Sequence, residues 1–195
     1  MSVLGTLLRD RRPDERNHAW NQTNLTAPDT IAIYSRDFTD AGTLAQQHAG
    51  ARVKGENLSP HLAWSNSAYG HTELLLLIED IDAPLGANPP VHCLAIIDET
   101  RLQTPHELAP GALAAKNPAS GVTLLRSTIG RGYHGPEPLK GHGPHRYVFQ
   151  LYALSDSLLN RSDRDTLLKA RPRALLASID SPILQRGRIT GIYER

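Results

Sequence analysis

Two segments carry residues whose types and spacing suit chemistry. The first is Glu79-Asp80-Ile81-Asp82-Ala83-Pro84, which directly follows an apolar run. Asp80 and Asp82 are two residues apart, so on an extended backbone their carboxylates point to one side. Paired carboxylates at the end of a core strand repel each other and resist burial unless donors or a cation meet them. Asp and Pro are also ordinary turn residues, and a plain turn is the simpler account on composition alone. The second segment is Gly141-His142-Gly143-Pro144-His145-Arg146-Tyr147, a Gly/Pro loop running into a strand. His145 and Tyr147 share one face of that strand, with Arg146 opposite. Imidazole and phenol donate hydrogen bonds that suit a phosphate or carboxylate, and loop glycines let backbone N–H groups approach an anion. An amphipathic strand end with satisfied polar groups explains the same residues without a ligand. His92, inside the run Val91 to Ile97, is a third candidate. A lone histidine there is more often a satisfied core residue than a contact. Asp80, Asp82, His92 and His145 are metal-ligating types, but no pair has the four-residue helical spacing of a zinc motif, and neither a metal nor a cofactor is expected. Cys93 is the lone cysteine and reads as a small buried residue rather than a nucleophile.

The elements that must position these groups are mostly short strands. Glu73 to Glu79 and Val91 to Ile97 are apolar runs bounded by turn residues, the pattern of fully buried strands. Arg146 to Leu154 is the clearest strand in the chain. Thr30 to Tyr34 reads as a first strand, Leu58 to Trp64 as a Pro-containing edge, and Val122 to Arg126 as another short strand. Residues 98–120 form a long loop. From Gly130 to Pro144, eight of fifteen residues are Gly or Pro. A loop that long inside a compact domain is usually functional. Two helices are expected near the end, one over Asp163–Ala170 and one after Pro172 that places Leu175, Leu176, Ile179, Ile183 and Leu184 on one face. Residues 1–27 form an N-terminal arm: Val3, Leu4, Leu7 and Leu8 repeat at helical spacing, and Arg11 to Thr26 is a polar linker. Residues 28–195 form the single ligand-binding domain.

The bulk properties exclude several classes. A chain of 195 residues, 39% apolar and 21% charged, is long enough for one core and too apolar for disorder. A net charge of +1 leaves no electrostatic footprint for nucleic acid. The longest unbroken apolar run, Leu74 to Ile78, is too short to cross a bilayer. With one cysteine and no secretory pattern at the start, the chain is expected in the cytoplasm.

Taken in order, the segments resemble the phosphatidylethanolamine-binding protein family, in particular its bacterial Raf-kinase-inhibitor-like branch. The matching stretches are Asn57-Leu58-Ser59-Pro60 with Leu62-Ala63-Trp64-Ser65, Asp80-Ile81-Asp82-Ala83-Pro84, Val91-His92, Gly132-Tyr133-His134-Gly135-Pro136, Gly141 to Phe149, and the ending Gly191-Ile192-Tyr193-Glu194-Arg195. Together they cover roughly residues 30–195. The resemblance implies a mostly β, β-sandwich-like fold with a large central antiparallel sheet, a smaller sheet and a few peripheral or C-terminal helices. It also implies a pocket for phosphate, acetate or a phospholipid headgroup. Carried over by residue, that pocket is built from Asp80, Asp82, His92, His145 with Arg146 and Tyr147, and a loop represented by Gly135, Pro138, Gly141 and Gly143. The family's tight turn implies a cis bond at Ala83–Pro84. The sequence departs from the family's pattern at Ile81, where a Pro is usual, and at Val91 and Cys93, where aromatic residues flank the histidine. The proline run of the loop is broken by Glu137 and Leu139. The polar floor is thus kept while the aromatic wall is not.

Three functions fit. The first is a binding protein for a small anionic or phosphate-bearing ligand. The second is an enzyme using Asp80, Asp82, His92 and His145 for general acid/base work. The third is a regulatory partner of another protein. Ligand binding is preferred, because no nucleophile elbow, phosphate loop or dinucleotide fingerprint is present. A homodimer is expected from the apolar patch on the arm and from dimers among bacterial relatives.

Overall fold

A computed structural model describes residues 3–65, 70–161 and 163–195. Its nine described strands are β1 (Ile33–Tyr34), β2 (Gly42–Thr43), β3 (Leu62–Trp64), β4 (Glu73–Asp80), β5 (Val91–Ile97), β6 (Glu107–Leu108), β7 (Val122–Leu124), β8 (His145–Leu154) and β9 (Ile183–Tyr193). Four short helices accompany them: α1 (Val3–Leu7), α2 (Leu158–Arg161), α3 (Arg164–Lys169) and α4 (Pro172–Ala177). Six strands form one sheet in the order β2-β9-β8-β4-β5-β7, antiparallel except for the parallel β2–β9 pair. β1, β3 and β6 form a small antiparallel sheet. The fold is mostly β, with two sheets and a few short helices.

The apolar runs fold as β4 and β5 because both of their faces are covered. Leu74, Leu76 and Ile78 join Leu62 and Trp64 of the small sheet in one core. Leu75 and Leu77 face the other way, into a second core with Leu175, Leu176 and Ile179. That second core also takes Ala19 and Leu25 from the N-terminal segment. Residues 11–26 are therefore more than a polar linker. The single-turn helices Ala19–Asn21 and Thr23–Leu25 bury one apolar side chain each, and the Ala19 N–H donates to the Glu79 carboxylate.

Three local expectations are corrected. The helix after Pro172 stops at Ala177; Pro182 follows, and Ile183 and Leu184 open β9. Leu58–Trp64 is no edge: β3 is the central strand of the small sheet, and Pro60 precedes the paired residues. Ala83–Pro84 is trans, since no cis bond occurs among the described residues. The turn there is closed by the Asp82 N–H donating to Asp80 Oδ1 at 3.0 Å.

Candidate functional site

The β4–β8 register sets Asp80 opposite Tyr147, and His145 lies two residues before Tyr147 on the same face. β5 supplies His92 through an irregularity. Ile78 pairs with Cys93 but Glu79 pairs with Val91, so His92 is the extra residue of a bulge. Val91 packs into the second core and Cys93 into the first. The bulge turns His92 to the same face as Cys93, and so towards Asp80. These four side chains, with Gly135 and Pro138 of the long loop, line one cavity of about 670 Å³.

Asp82, Gly141, Gly143 and Arg146 are not among the lining residues. The chain turns after Asp80, so the extended geometry that would keep the two carboxylates on one side ends there. Asp82 instead accepts from Arg146 Nε at 2.8 Å, from its second guanidinium nitrogen at 2.9 Å and from its backbone N–H at 2.8 Å. Arg12 Nε adds a fourth bond at 2.9 Å. Burial pushes the Asp82 carboxyl up, but the Arg146 hydrogen bonds and the charges of Arg146 and Arg12 outweigh it and hold it below the usual carboxylate range. Asp82 therefore anchors Arg146 and the arm beside the site.

The floor of the cavity is a chain of hydrogen bonds. His145 Nδ1 lies 2.8 Å from Asp80 Oδ2, and His145 Nε2 lies 2.8 Å from His142 Nδ1. The His92 Nδ1–H donates to the His134 carbonyl at 2.6 Å, which leaves the His92 Nε2 lone pair free of that bond. Burial lowers the His92 pKa and keeps the ring neutral, more than offsetting the pull of Asp80. Tyr147 is 1% exposed, and its hydroxyl makes no hydrogen bond of good geometry. Burial first, and then the Asp80 carboxylate through its charge and a poorly aligned hydrogen-bond contact with the hydroxyl, raise its pKa and keep the phenol protonated.

The long loop is pinned against the cavity by Asn57, whose Nδ2 donates to the Tyr133 carbonyl and whose Oδ1 accepts from the Gly135 N–H at 2.7 Å. The Gly135 N–H is thus already engaged. A Cβ at Gly135 would come within 2.3 Å of the His48 carbonyl oxygen, so only glycine fits. Pro84, Leu85, Pro90, Ile129 and Leu139 make the upper wall, aliphatic where aromatic rings were missing from the motif. Leu85 and Ile129 are 65% and 55% exposed.

The residue reading missed Asn57, His134, Glu137 and Arg52 in the lining, and His142 beneath it. Asn57, His134 and His142 lie inside the recognised motif stretches, so their proximity was the available signal. Glu137 was marked only as a break in the loop's proline run, and Arg52, which pairs with it at the rim, carried no signal. Cys93 is buried and its thiol is pushed up to about 12 by burial, so it is inert. Among the described residues, no three His, Cys, Asp or Glu side chains are grouped to hold a metal ion.

A family model for the phosphatidylethanolamine-binding protein matches residues 34–194. A UPF0098 protein of Aquifex aeolicus is 30% identical over 170 residues, covering 85% of this chain and 89% of that protein. The phomoidride biosynthesis cluster protein B of a fungal species is 36% identical over 136 residues, or 66% of this chain and 62% of that protein. Among solved structures, Escherichia coli YbcL superposes with a TM-score of 0.69 at 25% identity, covering 85% of this chain and 98% of YbcL. No described helix is long and apolar enough to cross a membrane.

Proposed function

The chain belongs to the phosphatidylethanolamine-binding protein family, and on that premise we propose that it binds a small molecule through a phosphate, carboxylate or phospholipid-headgroup-like group. The observation that carries this reading is the Tyr147 hydroxyl: a buried donor on the cavity floor whose contact with the Asp80 carboxylate falls short of good hydrogen-bond geometry. Leaving such a group unmatched is costly, so a ligand acceptor is the natural complement. The Asp80 carboxylate and the His92 Nε2 lone pair are acceptors. The head group that fits all three both donates and accepts, as a singly protonated phosphate or a carboxylic acid does. The aliphatic wall above the floor suits an apolar portion of the same ligand.

Calorimetry with inorganic phosphate, acetate and phosphoethanolamine tests the proposal. Tyr147→Phe removes one oxygen and, in the free protein, only its poorly aligned contact with Asp80. Hydrogen bonds to charged groups contribute about 1.5–3 kcal/mol, so this variant is expected to bind roughly ten- to a hundred-fold more weakly. Equal affinity for the two proteins, or no binding of any of the three probes by the parent, overturns the reading.

One observation favours a second reading, an enzyme. The Asp80–His145–His142 chain couples a carboxylate to two imidazoles, an arrangement that orients general bases. The fungal relative is also named for a biosynthesis cluster. A small molecule that copurifies with the protein and changes mass on incubation supports the enzyme; one that stays unchanged supports the binder. We also read the protein as cytoplasmic and homodimeric. The second of these rests on Val3 and Leu7, each 76% exposed, and a monomer mass in light scattering would remove it.

A further inference from the structure

We infer that Arg52 is a specificity residue at the mouth of the cavity: it receives a second acidic group of the ligand, so that the preferred ligand carries acidic groups at both ends of an apolar segment. The inference deepens the function proposed above and rests on it. The cavity is polar at two levels. Asp80, His92, His145 and Tyr147 on the floor are at most 5% exposed, whereas the side chain of Arg52, a residue of the same lining, is 88% exposed. The wall above the floor is aliphatic at Leu85, Ile129 and Leu139. A lone phosphate or carboxylate seated on the floor does not fill about 670 Å³, a volume in the range that takes a whole drug-sized molecule.

A second, independent observation concerns the donors of Arg52. Its guanidinium stands 3.7 Å from the Glu137 carboxylate, beyond hydrogen-bond distance. That carboxylate is engaged by main chain instead. Glu137 Oε1 accepts from the Arg52 backbone N–H at 3.1 Å and lies over Gly50, where a Cβ would come within 2.2 Å of it. The backbone beneath the guanidinium is fixed. Arg52 belongs to the single-turn helix Ala51–Val53, and the Gly50 N–H that precedes it donates to the Pro136 carbonyl at 3.0 Å. Asn57 holds the same loop at Gly135. Arg52 is thus a cation anchored through its main chain, with side-chain donors that its acidic neighbour does not take up. A guanidinium pairs with a carboxylate or phosphate through two parallel hydrogen bonds, a geometry that the loose contact with Glu137 leaves unused. A ligand whose first acidic group meets the floor, and whose apolar segment lies on the aliphatic wall, brings a second acidic group to that fork.

Calorimetry on the full-length protein tests this with matched pairs of probes: glutarate against pentanoate, adipate against hexanoate, suberate against octanoate, and hexanediol bisphosphate against hexyl phosphate. Two equivalent ends alone favour the doubly acidic probe by roughly twofold. One exposed charge pair adds up to about fivefold. For the spacer that fits, the parent is expected to prefer the doubly acidic probe by about tenfold, and the preference is expected to shrink as added salt screens the pair. Arg52→Ala is expected to bring the ratio down to about two or below, because the second charge then loses solvent beside an aliphatic wall and gains no partner. Arg52→Glu, which reverses the charge, is expected to turn the preference towards the singly acidic probe. A parent that binds the singly acidic probes but prefers no doubly acidic one by more than about twofold overturns the inference and leaves the function proposed above standing. A preference that survives in either variant overturns it in the same way. Failure of the parent to bind any of these acids overturns both.

Discussion

Glu79 and Asp80 are neighbours at the end of β4, both almost fully buried, and they point to opposite faces of the large sheet. On the Glu79 side, both carboxylate oxygens are met by protein. Arg173 pairs with one, Gln150 Nε2 donates to the other at 2.8 Å, and the Ala19 N–H reaches them from the arm. Tyr152 extends the network through Gln150. On the Asp80 side, the network ends at a cavity, with the Tyr147 hydroxyl left over. A buried charge that is fully matched holds structure together. On the function proposed above, a buried network with a poorly matched donor beside open space is where a ligand completes the set.

The largest effect expected from this contrast is on Glu79. Glu79→Ala leaves the half-buried Arg173 charge without its carboxylate, which costs about 3 kcal/mol, the lower end of the range for breaking a buried pair. For a chain of this length that lowers the melting midpoint by roughly 2–4 °C per kcal/mol. Phosphate affinity of the folded fraction should not change. Urea unfolding that shows a loss below about 1 kcal/mol would break the claim that the Glu79 network is structural.

The mirror experiment is Tyr147→Phe. Its hydroxyl makes only a poorly aligned contact with Asp80 in the free protein, so stability in urea is expected to stay within about 0.5 kcal/mol of the parent while binding falls. A large loss of stability would mean that the hydroxyl is matched in the free protein, and the two faces would then not differ in kind.

The smallest effect concerns pH. Burial, as the largest cause, lowers the pKa of His92, His134, His142 and His18 below the ordinary 6.5. In the unfolded chain these rings take up protons at a pH where the folded protein refuses them. The unfolded state therefore binds more protons below about 6.5, and stability falls as pH falls through that window. Glu73, whose carboxyl is raised above 4.5 chiefly by burial, offsets part of the trend. A melting midpoint that drops by a few degrees from about pH 8 to about pH 5, with net proton uptake on unfolding, is expected. No uptake near pH 6 would show that the cavity histidines are already solvated in the fold.

The order of the strands and most of their extents were legible in the residues, because runs such as Leu74 to Ile78 can only be buried on both faces. β9 was not. Its Gly187 and Gly191 weaken any strand pattern, and their reason lies elsewhere in the chain: a Cβ at Gly187 would strike the Ile31 carbonyl oxygen at 1.9 Å, and one at Gly191 the Leu44 side chain at 2.6 Å. Both glycines admit a crossing segment that local periodicity cannot reveal.

The candidate site divides in the same way. The residue types of Asp80, His92, His145 and Tyr147, and the alternation that sets Arg146 opposite its neighbours, are properties of the sequence by itself, since side chains on a strand alternate whatever they pack against. Which of the two aspartates faces the cavity was decided by the turn after Asp80 and by Arg146 and Arg12 waiting on the other side. The bulge that re-aims His92 was decided by the pairing of β4 with β5. The docking of Arg12, about seventy residues from Asp82 along the chain, was decided by the fit of Gly5 against the loop at Lys140. Each is a contact between segments far apart in sequence, and a hydrogen bond or close approach of that kind exists only once the fold has brought both partners together.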